Sequence, residues 1–170
     1  MMIYRSDIPI VVIAITFAFV ANGSFPVRAH DGATGIVKER MDSMKTMGDH
    51  SKLVGDMLKG KQKFELSAVQ SAAAAFVSHG QQITTLFPDT EASRHGGRTE
   101  ALPAIWKDWE AFSTLAERFT NDSQLLVEIA ASLDENILPG DRSIRRIRTA
   151  FFRSAESCRQ CHKKFRLDRD

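Results

Sequence analysis

The chain has 170 residues, with 23 Lys and Arg against 21 Asp and Glu. That length suits a single domain around one core. A balance so close to neutral, without a basic stripe, argues against a nucleic-acid binder.

Met1 to Asp7 carries one arginine, Ile8 to Ala21 is apolar apart from Pro9 and Thr16, and Asn22-Gly23-Ser24 breaks the run. With Val27-Arg28-Ala29 at the cleavage position, residues 1–29 read as a secretory signal peptide. An uncleaved anchor is the competing reading, but about 14 apolar residues fall short of the ~20 needed to span a bilayer. Cleavage after Ala29 leaves residues 30–170 as one near-neutral domain.

Periodicity predicts four helices and no strand in that domain. The first runs from Thr34 to Leu58, with a small, sulfur-rich inward stripe of Val37, Met41, Met44, Gly48, Ser51, Gly55 and Leu58. The second covers Ser67 to Leu86 and ends at Phe87-Pro88. Asp89 to Leu102 reads as a loop. Pro103 suits a first-turn position and opens a long helix reaching Leu133, with a kink expected at Thr120-Asn121-Asp122-Ser123. After a Pro139-Gly140-Asp141 turn the last helix starts near Ser143. Four antiparallel helices with short connections make an all-α bundle the expected fold.

The last helix holds both cysteines, in Cys158-Arg159-Gln160-Cys161-His162. CxxCH is the attachment pattern of c-type haem: each thiol adds across a porphyrin vinyl group and the adjoining imidazole ligates the iron. A dithiol redox pair would need a βαβ setting, a structural zinc site a fourth ligand, and a disulfide across two helical residues is geometrically poor. Ile144, Ile147, Phe151, Ser154, Cys158, Cys161 and Phe165 share one face, so the thiols lie on the inward side of the helix. An exported CxxCH chain is expected to be a periplasmic cytochrome.

The element order, the CxxCH continuing into Lys163-Lys164-Phe165-Arg166, Phe87-Pro88 after the second helix, Pro103-Ala104-Ile105-Trp106 opening the third, and Arg40-x-x-x-Met44-x-x-x-Gly48 in the first together resemble the cytochrome c′ family. The resemblance spans essentially the whole mature chain and is strongest to the low-spin cytochrome c-556 branch. It implies an up-down-up-down bundle, one covalently attached haem c, and His162 as proximal iron ligand. It also implies a choice, because most members keep five-coordinate iron behind a bulky apolar distal residue, whereas the low-spin branch supplies a methionine as sixth ligand. Met44 stands at the matching position, with Met41 and Met47 as lesser candidates on neighbouring faces. Core filling is the competing role for a methionine.

Arg40 matches a family arginine near the haem edge, where it would pair with a propionate. Arg166 matches one beside the proximal pocket, although a cation in the last turn also suits the helix dipole. Phe87, Trp106 and Phe165 are expected against the porphyrin or as plain core aromatics. His50, His79 and His95 have no ligand spacing and read as surface histidines.

The expected function is single-electron transfer by a periplasmic carrier with His162/Met44 ligation, which raises the reduction potential, exchanging electrons with periplasmic or membrane-bound redox proteins. No nucleophile-base pair or carboxylate dyad points to an enzyme. The alternative is a five-coordinate binder of nitric oxide or carbon monoxide. Family members are often dimers through the first two helices, a contact that Lys38, Lys45, Lys52 and Lys59 make less favourable here. Arg142, Arg145, Arg146, Arg148 and Arg153 form a basic region, either a solvated helix face or a docking patch for an acidic redox partner.

Overall fold

The structure, a computed structural model, describes residues 32–134 and 141–168. The expected signal peptide and the Pro139-Gly140 turn lie outside the described residues. Helix α1 spans Gly35–Leu58, α2 Leu66–Gln82, α3 Glu91–His95, α4 Ala104–Lys107, α5 Trp109–Ala131 and α6 Arg142–Phe165. The four long helices α1, α2, α5 and α6 make the antiparallel bundle that periodicity predicts. Of the two short ones, α3 packs on α1, and α4 on α5 and α6.

The core lies mainly along α5, which packs extensively against both α2 and α6. Phe76, Phe112, Phe119, Leu126, Ile147 and Phe151 are all buried there, each contributing about 1.5–3 kcal/mol. Helices α2 and α5 approach closely at Gly80, where an added Cβ would lie 2.6 Å from the Thr120 hydroxyl and 3.1 Å from the Phe119 ring. Any larger residue would push the pair apart.

Helix α1 ends in a Schellman turn. Gly60 takes φ 72°, its N–H donates to the Met57 carbonyl at 3.0 Å, and the Lys61 N–H donates to Asp56 at 2.9 Å. A left-handed residue is needed at this position, and glycine adopts it at least cost. The last-turn carbonyl of Leu58 accepts from the Arg148 guanidinium of α6 at 2.6 Å. Beside it, Gly55 lets the Phe151 ring come within 3.9 Å of where its Cβ would be. Helices α1 and α6 are thus pinned together at this end, and at the opposite end they diverge around a cavity.

Four expectations need correction. The third helix is interrupted at Asp108 (φ −131°, ψ 59°), whose carboxylate accepts from the Ala111 N–H and so caps α5. Helix α5 runs unbroken through 120–123, where Thr120 and Ser123 donate to the carbonyls four residues back, Ala116 at 2.9 Å and Phe119 at 2.7 Å. Their polarity is absorbed by their own helix. The last turn of the second helix is 3-10, over Thr84–Leu86, and the expected loop contains α3.

The exposed face of α1 is charge-balanced. Lys38, Lys45 and Lys52 each pair with the aspartate four residues on, Asp42, Asp49 and Asp56, an arrangement worth a few tenths of a kcal/mol per pair.

Candidate functional site

Where α1 and α6 diverge, they enclose a cavity of about 410 Å³, within the usual range for cofactor sites. Cys158, Cys161, His162, Phe165 and Arg166 line it from α6 and its end, and Arg40, Met41, Met44, Met47 and Gly48 from α1. Ile105, Phe112, Ala116 and Phe119 form an apolar wall. The sulfur-rich stripe of α1 accordingly faces space that no other side chain fills. The fully buried line of α1 runs instead through Val37, Arg40, Met47 and Val54, while Met41 and Met44 are half-buried and Gly48 is exposed.

Burial pushes the Cys158 thiol up to about 12, with Cys161 adding to the effect, and the Cys161 thiol up to about 11. Both therefore hold their protons at neutral pH. Solvent reaches His162 through the open mouth, yet the surrounding protein lowers its pKa by desolvation. Arg166 lowers it further and Glu100 opposes. The neutral imidazole this favours is the form that ligates a metal.

Arg40 is buried at 3% exposure. Its guanidinium donates to the Ser93 hydroxyl at 3.2 Å, the Ser93 carbonyl at 2.7 Å and the Thr99 hydroxyl at 2.8 Å, and stacks 4.8 Å over the Phe87 ring. None of these hydrogen-bond partners is a carboxylate, so the positive charge in the cavity wall suits an anionic group inside.

The mouth is framed by chain that sequence reasoning passed over. The Leu102 N–H donates to the Phe165 carbonyl at 2.9 Å and the Leu167 N–H to the Glu100 carbonyl at 2.7 Å, joining residues 100–102 to the end of α6 around an Ala101–Arg166 bridge. Arg166 adds an ion pair to Glu100 at 2.8 Å. Thr99, Glu100 and Ala101 line the cavity, yet their run of charges and hydroxyls in the sequence signals only a loop. Ser157, fully buried beside Cys158, also lines the cavity, and its place one residue before the motif is the only mark of it in the sequence.

Of the nine expected site residues, Trp106 alone stands outside the cavity lining. Its indole N–H donates to the carbonyls of Phe87 at 3.1 Å and Pro88 at 3.3 Å, and Arg94 stacks on its ring. It anchors Phe87, which does line the cavity. Among the other histidines, His79 meets the Ser43 hydroxyl at 2.9 Å and His50 lies edge-on to Phe76; both are half-buried, and His95 is exposed.

Two thiols and a neutral imidazole on one helix, a thioether-bearing helix facing the same space, an apolar wall and a buried guanidinium are a donor set that fits a haem. The comparisons agree. The family model described as Cytochrome C′ matches residues 35–166. Cytochrome c′ of Rhodopseudomonas palustris is 35% identical over 107 residues, 61% of this chain and 72% of that protein. Cytochrome c-556 of Agrobacterium tumefaciens is 26% identical over 133 residues, 78% of this chain and 98% of its own. The solved structure of cytochrome c′ from Rhodopseudomonas palustris superposes with a TM-score of 0.67 at 26% identity, covering 81% of this chain and 99% of that one. With a CxxCH helix lining an apolar cavity in a bundle that superposes on this relative, the chain carries haem c covalently and belongs to the cytochrome c′ family.

Proposed function

We propose that the protein is an exported single-electron carrier, with haem c tethered through Cys158 and Cys161, His162 as proximal ligand and Met44 as the sixth. When bound, haem c supplies a one-electron ferric/ferrous couple. The observation that carries this reading is that Met44 of α1 and His162 of α6 line one cavity. A thioether and an imidazole from separate helices would then both hold the iron and leave little room for a substrate.

The remaining residues bind and orient. Arg40, its guanidinium fixed by Ser93 and Thr99, offers a positive charge to a propionate. Phe87, Ile105, Phe112 and Phe119 keep water from the porphyrin, which favours the less charged ferrous state. Glu100 and Arg166 hold the loop over the mouth. Residues 1–29 are read as the export signal and residues 30–170 as the mature domain in the periplasm, where attachment takes place; a mature mass beginning at His30 with one haem added tests this. Nothing in this arrangement supplies a nucleophile or general base for turnover, so we read the protein as a carrier rather than an enzyme.

The visible and near-infrared spectrum of the purified ferric holoprotein tests the ligand set. A sulfur-to-iron charge-transfer band in the far red supports ligation by Met44. A high-spin spectrum with rapid carbon monoxide binding to the ferrous form would replace the carrier with a gas binder.

A further inference from the structure

Behind the cavity wall, α5 and α6 bury a polar cluster that neither attachment nor ligation uses. Asp122 is 6% exposed, and Ser123, Ser154 and Ser157 are all but fully buried. The Ser157 hydroxyl donates to Asp122 Oδ2 at 3.0 Å. Asp122 Oδ1 lies 3.3 Å from Arg153 Nη2, and Oδ2 lies 3.8 Å from Arg118 Nε. Ser157 itself lines the cavity and immediately precedes Cys158.

The charges in this cluster are unequally solvated. The Arg118 and Arg153 side chains are 54% and 61% exposed, whereas that of Asp122 is 8% exposed. Water and salt screen the guanidinium charges far more than the carboxylate, so the field reaching the cavity is dominated by the negative charge. A buried carboxylate is also costly to keep, and an apolar pair would join α5 to α6 at least as well.

We propose that Asp122, held in place by Ser157, is a positioning residue that sets the haem potential. Its fixed negative charge opposes entry of an electron from any one-electron reductant and so favours the ferric state of the haem tethered at Cys158. Ser157 fixes the carboxylate relative to that tether. The inference rests on covalent haem in the cavity and holds whether or not Met44 ligates the iron.

Potentiometric titration of purified holoproteins, each checked for its far-red band, tests it. Asp122→Asn should shift the equilibrium toward ferrous by about tenfold to twentyfold, the scale of a unit charge acting over about a nanometre at an effective dielectric of about 20. Asp122→Glu should restore most of the wild-type value. Arg153→Gln should move the equilibrium the other way, toward ferric, by a smaller factor that shrinks in high salt. An unchanged potential in Asp122→Asn, or the same direction of shift in Asp122→Asn and Arg153→Gln, overturns the proposal, since damage to packing has no reason to follow the sign of the charge. If Asp122→Asn fails to accumulate as holoprotein, Asp122→Ser decides in its place: a shift toward ferrous supports the proposal, and no shift or the opposite one overturns it. A missing far-red band in the wild type would sink ligation by Met44 and leave this result readable.

Discussion

The bundle has two contrasting seams on α6. Toward α5 it is packed along most of its length, with Phe112, Leu126, Ile147 and Ala150 buried and Ser157 bonded to Asp122, and it parts only in a surface groove between Leu125, Ile129, Arg146 and Arg153. Toward α1 it is closed only at the Gly55–Phe151 and Leu58–Arg148 end, and the rest opens on the cavity. One seam is completed by the chain's own side chains, and the other needs a cofactor to complete it. Holding and exposing a haem therefore falls to the α1–α6 side, while α5 supplies the rigid backing.

The largest expected effect comes from leaving the open seam unfilled. Cys158→Ala together with Cys161→Ala should abolish covalent haem, read as loss of the haem-stained band on denaturing gels. The apolar walls would then face water, so the melting temperature should fall by about 10 °C or more, a change of about 2 kcal/mol or above for a domain of this size. The α2–α5 pair should retain the slowest amide exchange.

Met44→Ala acts on the same seam without removing the haem. The far-red band should vanish, the iron should turn high-spin and bind carbon monoxide readily, and the potential should drop. The packing loss should be about 1–2 kcal/mol, below the range for a fully buried methionine, and is measurable by urea denaturation.

Arg40→Ala probes how the seam is framed. Removing three hydrogen bonds to Ser93 and Thr99 strands a buried carbonyl, at a cost of about 2–3 kcal/mol, and should make residues 89–102 the first site of limited proteolysis. The closed α5–α6 seam should be indifferent to the change.

An effect that is absent at neutral pH concerns the thiols before attachment. Their folded pKa values of about 12 and 11 lie above the ordinary 9.0, so an unfolded chain releases these protons first. Apoprotein stability should fall as pH rises from about 9 through 11 to 12. Alkylation at pH 8 should be slower, by about a hundredfold, in the folded apoprotein than in urea.

The closed seam is the one that periodicity reads well. Regular apolar spacing in the second, third and last helices marks faces that meet other helices, and those helices form. The open seam is legible mainly through Cys158-Arg159-Gln160-Cys161-His162, a pattern that covalent chemistry makes specific. The Met41 and Met44 stripe follows helical spacing yet lines the cavity rather than another helix, because periodicity reports which residues leave water and not what they leave it for. Thr120 to Ser123 misled for a related reason: hydroxyls that break a helix in water can be satisfied inside one by carbonyls a turn earlier. Thr99 to Ala101 were invisible as site residues because their role arises from backbone pairing with the far end of the chain.

The reluctant thiols also constrain the order of biogenesis. The attachment helix follows α1, α2 and α5 in the chain, so these three are made before it and are available to collapse onto it. A bundle that closed first would bury two poor nucleophiles in an empty cavity. Haem addition is therefore expected to run ahead of docking of α6, which would make the chain's own folding speed a competitor of its maturation.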